Sequence, residues 1–150
     1  MNDIRMTWLL PEQVAKFWFI LRPAIEESMP PISVESPDRM VHVLEAILTS
    51  RLVVHVFDRV LDDGKVQVLA VIVTGKVDWF DSQHKDLLVY AIYNWVMDIS
   101  QRDWMTGLVL LRKYKVGQGC KRILAYSNVD SIIKLFERFG SSDYRLLIME

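Results

Sequence analysis

The chain has one cysteine, Cys120, and only three histidines, His42, His55 and His84, which lie far apart in sequence. A lone thiol cannot close an intramolecular disulfide, and isolated imidazoles beside it do not complete the four-ligand set of a structural zinc site. A reducing compartment and no metal are the expectation. Charge of either sign is also without excess: 18 Lys and Arg against 19 Asp and Glu leave a formal net charge of −1. Such a balance lacks the electrostatic footprint of a nucleic-acid or anionic-membrane binder, so neither is expected as a partner. Long apolar runs are missing as well. The longest, 68–73 and 87–93, fall far short of the roughly 20 residues that cross a bilayer, and the opening MNDIRMTWLL has no basic, apolar and small-residue signal pattern. A soluble intracellular protein is expected. No repeat, linker or low-complexity segment divides the chain, which points to one domain over 1–150.

What is present is apolar and aromatic. Hydrophobic residues make up 51% of the 150, with five Trp, five Tyr and six Phe. That is far from the composition of disordered segments, and a domain of this length can bury roughly 68–70% of its unfolded surface.

Periodicity then divides the chain. From Pro11, the apolar residues Val14, Phe17, Trp18 and Leu21 recur at helical spacing, and Pro23 predicts a kink or stop near Arg22 because a proline clashes with the carbonyl four residues back. Ser36-Pro37 is an N-cap followed by a first-turn proline, and opens a second helix with the stripe Met40, Val43, Leu44 and Ile47. Segments 52–61 and 66–74 read as strands joined by Asp62-Asp63-Gly64-Lys65, whose Asp-Gly supplies the positive φ of a tight hairpin. A third antiparallel strand comes next at 87–93. Asp103 is a candidate N-cap for a helix over 104–116, closed by Gly117 and Gly119. Segment 122–127 reads as a short strand. Ile132, Leu135, Phe136 and Phe139 make another helical stripe ended by Gly140, and 144–149 reads as a last strand. The predicted order is ααβββαβαβ, an α+β (or α/β) domain.

The stretch Gly119-Cys120-Lys121-Arg122-Ile123-Leu124-Ala125-Tyr126-Ser127-Asn128, followed by Leu135-Phe136-Glu137-Arg138-Phe139-Gly140, resembles the C-terminal half of the GNAT acetyltransferase superfamily. There a helix ends in glycine, a strand and an asparagine come after it, and a helix closes on an aliphatic-Tyr-Glu-Lys-x-Gly pattern. The likeness covers about 52–150. It implies a mixed, mostly antiparallel central sheet flanked by about four helices. Within the superfamily, 73–80, Trp104 and the Gly119-Cys120 corner are similar to acetyltransferase-like proteins of tailed bacteriophages. That implies a virion-associated or host-interaction role.

The resemblance also sets expectations for chemistry. Acetyl-CoA would be held by a Gln/Arg-x-x-Gly-x-Gly/Ala loop, aligned here with Gln101-Arg102-Asp103-Trp104-Met105-Thr106, and by the strand Val89-Tyr90-Ala91-Ile92-Tyr93. Trp104 and Thr106 stand at the glycine positions, where a side chain obstructs close backbone approach to a diphosphate, and Asp103 adds negative charge beside it. Gly107 comes one residue too late to repair the loop. The superfamily's general-acid tyrosine is replaced by Phe136, which has no proton to give, leaving Tyr126 as the fallback donor.

Other residues have plainer readings. Cys120 is expected in the core rather than as a nucleophile. His55 is expected as a surface or cross-strand residue rather than a base. Asp58, Asp62 and Asp63 are expected to serve the hairpin turn rather than a metal or amine. Arg112, Lys113, Lys115, Lys121 and Arg122 suit the negative end of a helix, with an acidic partner as the alternative. Trp8, Trp18, Trp79, Trp95 and Trp104 are expected mostly in the core, with Trp79 and Trp95 suited to an interface.

Three functional readings result. The first is a degenerate, non-catalytic GNAT-fold protein without cofactor that acts by binding a viral or host protein, in host cytoplasm or virion, with room for a homo-oligomer. The alternative is a divergent acetyl-CoA-dependent N-acetyltransferase. A third reading retains CoA or another nucleotide as a regulatory ligand.

Overall fold

The structure is a computed structural model, and it describes residues 3–127 and 129–150. The elements run β1 (Arg5–Leu9), α1 (Pro11–Lys16), α2 (Trp18–Glu27), α3 (Arg39–Leu48), β2 (Leu52–Val60), β3 (Val66–Asp78), β4 (Lys85–Asn94), α4 (Gln101–Gly117), β5 (Cys120–Ala125) and α5 (Asp130–Arg138). The strands form one sheet in the order β1-β2-β3-β4-β5. The first three junctions are antiparallel and the last is parallel. A parallel junction requires a crossover, which α4 supplies. The mixed, mostly antiparallel sheet of an α+β domain is thus observed.

The β2–β3 hairpin forms where Asp-Gly predicted it. Gly64 sits at φ 83°, and Asp63 Oδ1 accepts the Lys65 N–H at 2.9 Å. Each face of the sheet buries its own apolar set. On one face Phe57, Ala70, Ile72, Leu87 and Val89 meet Leu108 and Leu111 of α4 and Leu135 of α5. On the other, Val54, Val71, Val73 and Ala91 meet α1, α2 and α3 through Val14, Leu21, Ile25, Met40, Val43 and Ile47.

Four expectations need correction. The strand β1 was not foreseen: it is a five-residue edge strand with only Met6 and Leu9 half-buried, so its apolar alternation is weak, and pairing with β2 decides it. The first expected helix is two, broken at Phe17 (φ −102°, ψ 15°), while Pro23 lies inside α2, so of the expected kink or stop near Arg22 the stop does not occur. An interior proline costs about 3 kcal/mol, whereas burying Leu21 and Ile25 returns about 1.5–3 kcal/mol each, so α2 persists. This split gives five helical segments around the sheet. Ser100, not Asp103, caps α4: its hydroxyl accepts the Asp103 N–H, so Asp103 falls in the first turn and the helix starts at Gln101. Finally, 144–149 is not a strand. The segment has the composition of one, but it is exposed throughout and has no ladder partner among the described residues.

Candidate functional site

The most irregular part of the sheet lies where β4 meets its two neighbours. Val73 pairs with Ala91 and Thr74 with Val89, so Tyr90 is an extra residue in β4. Such a bulge reverses the facing of the strand beyond it. Val89 packs on the α4 side, whereas Tyr90, Ala91 and Tyr93 all belong to the α1–α3 side and Ile92 returns to the α4 side. The bulge also coincides with the end of the β4–β5 ladder. That ladder runs from Lys85↔Cys120 to Val89↔Ala125, and no residue of 90–94 pairs with β5. β5 itself ends at Ala125, the partner of Val89, so residues 90–94 of β4 have no strand on that edge among the described residues.

The other end of this junction is held shut. Asp86, only 1% exposed, accepts from the Arg122 backbone N–H at 3.1 Å, from Arg122 Nη2 at 2.6 Å and from Trp79 Nε1 at 2.7 Å. The register advances by two residues in β4, from Lys85 to Leu87, and by three in β5, from Cys120 to Ile123. The Arg122 N–H therefore falls opposite the Asp86 carboxylate. The guanidinium of Arg122 first, and the indole N–H after desolvation is overcome, hold the Asp86 carboxyl below its usual range. The basic group at the end of α4 is therefore not one unit: Arg122 belongs to this lock, and Lys115 donates to the Lys121 carbonyl at 3.3 Å.

Helix α4 follows β4 after residues 95–100. Ser100 Oγ takes the Asp103 N–H at 3.1 Å, and the Ser100 carbonyl takes the Trp104 N–H at 3.0 Å. The Asp103 carboxylate is not an unpaired charge, because Arg59 Nη1 of β2 donates to it at 3.0 Å. Trp104 is half-buried against the core, and Gly107 is buried with an added Cβ reaching within 3.3 Å of Phe57. The glycine thus serves the approach of helix to sheet. Beneath this turn lies an apolar cavity of about 20 Å³ between Ile4, Phe57, Ile72, Ile92, Trp104 and Leu135. A cavity of that size holds about one water. Gln101, Arg102, Met105 and Thr106 complete the turn; Thr106 Oγ1 donates to the Arg102 carbonyl at 3.0 Å. Phe136 is half-buried on α5, and Tyr126, 38% exposed, lies just after β5. Asn128 lies outside the described residues.

The fold is shared with known structures. The chain is similar to the aminoglycoside N-acetyltransferase AAC(6')-Iy in complex with CoA, at 14% identity and TM-score 0.66 over 100% of this chain and 95% of that one. It is similar to a ribosomal-protein-alanine N-acetyltransferase from Brucella melitensis biovar Abortus 2308, at 11% identity and TM-score 0.64 over 99% of each. The fold is that of the GNAT acetyltransferases. A further GNAT-fold likeness is to the aminoglycoside acetyltransferase HMB0005 from an uncultured soil metagenomic sample, at 14% identity and TM-score 0.66 over 99% and 97% of the two chains. No family model and no curated protein matches the sequence. None of these likenesses points to tailed bacteriophages.

Within the GNAT fold, the candidate residues separate into groups. Residues 89–93 lie on β4, at and beyond the bulge, and 101–106 form the first turns of α4. His55 does not belong there. It is fully buried, not at the surface, and its Nε2 lies 2.8 Å from Thr74 Oγ1 across the strand pair. Tyr114 stands edge-on to its ring at 4.5 Å, and burial lowers its pKa to about 4. Cys120 is buried as expected. Asp58 serves no turn: it pairs with Arg5 of β1 at 2.7 Å. None of the five tryptophans is fully buried, and Trp8 on the edge strand is 54% exposed. Sequence reasoning missed Ser100, Arg59 and Asp86. Ser100 carried a local signal, a serine three residues before an acid; Arg59 and Asp86 acquire their partners only through the sheet.

Among the described residues, no group of three or more His, Cys, Asp or Glu side chains could hold a metal, and no helix is long and apolar enough to cross a membrane.

Proposed function

We propose that this protein is a non-catalytic member of the GNAT fold that acts by binding another protein. One observation carries the reading: the Asp103 N–H and the Asp103 carboxylate in the first turn of α4 are both engaged within the chain. A helix N-terminus binds diphosphate through N–H groups left without partners and through its positive end. Here the Asp103 N–H is taken by Ser100, and the turn carries an Asp103–Arg59 ion pair where an anion would approach. The residues at this end of α4 therefore do not fit acetyl-CoA. Trp104 contributes to this less by blocking the loop than by filling the space beneath it. Phe136 at the tyrosine position supports the same conclusion, since a phenyl ring donates no proton.

The partner is taken to be a protein of viral or host origin. The exposed aromatics Trp8, Trp79 and Phe80 suit such an interface. A second reading, a divergent acetyl-CoA-dependent N-acetyltransferase with Tyr126 as proton donor, is favoured by the bulge at Tyr90 and by the 90–94 edge of β4, whose backbone is not paired with β5 and is open to a ligand.

Thermal unfolding separates the two. A ligand at 100 times its Kd stabilises a fold by about 2.7 kcal/mol. The melting temperature is expected to stay unchanged in millimolar acetyl-CoA, and a rise of several degrees would favour the enzyme.

A further inference from the structure

Toward the far ends of α4 and α5 lies a second cavity, of about 180 Å³. Its apolar walls come from Leu108, Ile123, Phe136 and Phe139, and its polar side from Arg112 and Lys115. Arg112 is eleven residues beyond Gln101, which at 1.5 Å rise per residue places it about 16 Å along α4 from the capped turn. The cavity shares Leu108 with the one beneath that turn and is lined by Phe136, the residue at the tyrosine position.

Its chemistry is one-sided. No aspartate or glutamate lines the cavity. Arg112 has no carboxylate partner among the described residues; its guanidinium instead lies over the Phe139 ring, 5.8 Å from the centroid. Among the described residues Lys115 donates to the Lys121 carbonyl alone, at 3.3 Å, which leaves two of its three ammonium protons for another acceptor. Ser141 adds a hydroxyl at the same rim. An apolar cavity of 150 Å³ is known to accept benzene, so this one has space for an apolar body of about six carbons below two cations.

We propose that this cavity binds a small monocarboxylate with an apolar body, a short-chain acyl or aryl carboxylate. The hydrocarbon lies against Phe136, Phe139 and Ile123, and the carboxylate accepts from Arg112 and Lys115. A guanidinium stacked on an aromatic ring is already oriented, so less of its freedom is lost when it meets a carboxylate. The proposal does not depend on whether the protein is an enzyme.

The test is an NMR titration of the methyl-labelled full chain with hexanoate, 1-hexanol and hexylamine. Hexanoate is expected to shift the methyl groups of Leu108 and Ile123 saturably, with affinity at least about tenfold above hexanol, the ratio that a charge-assisted hydrogen bond gives. Hexylamine is expected to bind more weakly than either. The double variant Arg112→Gln, Lys115→Gln should bind hexanoate and hexanol alike while keeping the wild-type spectrum elsewhere. Equal affinity for hexanoate and hexanol in the wild type would overturn the proposal, as would shifts confined to other parts of the molecule or none by about 20 mM.

Discussion

Replacing Asp86 by alanine is expected to destabilise the fold by about 3 kcal/mol. The carboxylate accepts from a backbone N–H, a guanidinium and an indole N–H while only 1% exposed. Hydrogen bonds to a charged group are each worth about 1.5–3 kcal/mol, and removing one member of a buried ion pair costs about 3–5 kcal/mol. The lower end of that range applies because the Arg122 side chain is 59% exposed and can return to water. For a chain of this length the melting temperature should fall by about 6–12 °C. Asp86→Asn keeps an acceptor for Trp79 and should lose less. Denaturant unfolding of the three proteins measures this, and a loss below about 1 kcal/mol for alanine would mean that the β4–β5 junction is held by its ladder alone.

His55 is expected to make stability fall between pH 6.5 and 4. The buried imidazole has its pKa lowered to about 4 by desolvation, whereas in the unfolded chain it titrates near 6.5. Above pH 6.5 neither state is protonated and His55 adds no pH dependence. Below 6.5 the unfolded chain takes up a proton that the fold refuses, so stability declines until both states are charged below about pH 4. At 1.36 kcal/mol per pH unit the total is about 3 kcal/mol. Asp86, whose folded pKa is lowered, acts in the same direction but in a separate window, losing its contribution as pH falls below its unfolded value of 3.8. His55→Gln keeps a side chain able to reach Thr74 and should flatten the upper window only. Unchanged curvature between pH 6.5 and 4 in that variant would contradict the assignment. The Nδ1 atom of His55 is buried without a partner, and nothing in the structure gives a reason for it.

How much of this was legible beforehand depends on the range of the interaction. Asp62-Asp63-Gly64 announced a hairpin because a positive φ is a property of one residue. The helix stripes of α3 and α5 appeared because their period is internal. The strand β1 escaped because an edge strand is defined by its partner, and 144–149 misled for the converse reason: it has the residues of a strand but no neighbour. At the candidate site the sequence exposed Asp103, Trp104 and Phe136 as departures from the pattern that the resemblance implied. It could not reveal that Asp103 is neutralised by Arg59, 44 positions away, because that depends on how α4 lies on the sheet. The bulge at Tyr90 was equally invisible, since it is a mismatch between two strands and belongs to neither alone.

The central claim is that the N-terminus of α4 is closed to diphosphate. Titrating CoA into the ¹⁵N-labelled protein and monitoring the backbone amides of Gln101, Arg102, Asp103 and Trp104 tests it at the atoms concerned. The account predicts that these resonances stay in place up to millimolar CoA; a saturable shift of the Asp103 amide, as Ser100 gives up its hydrogen bond to a phosphate oxygen, would contradict it.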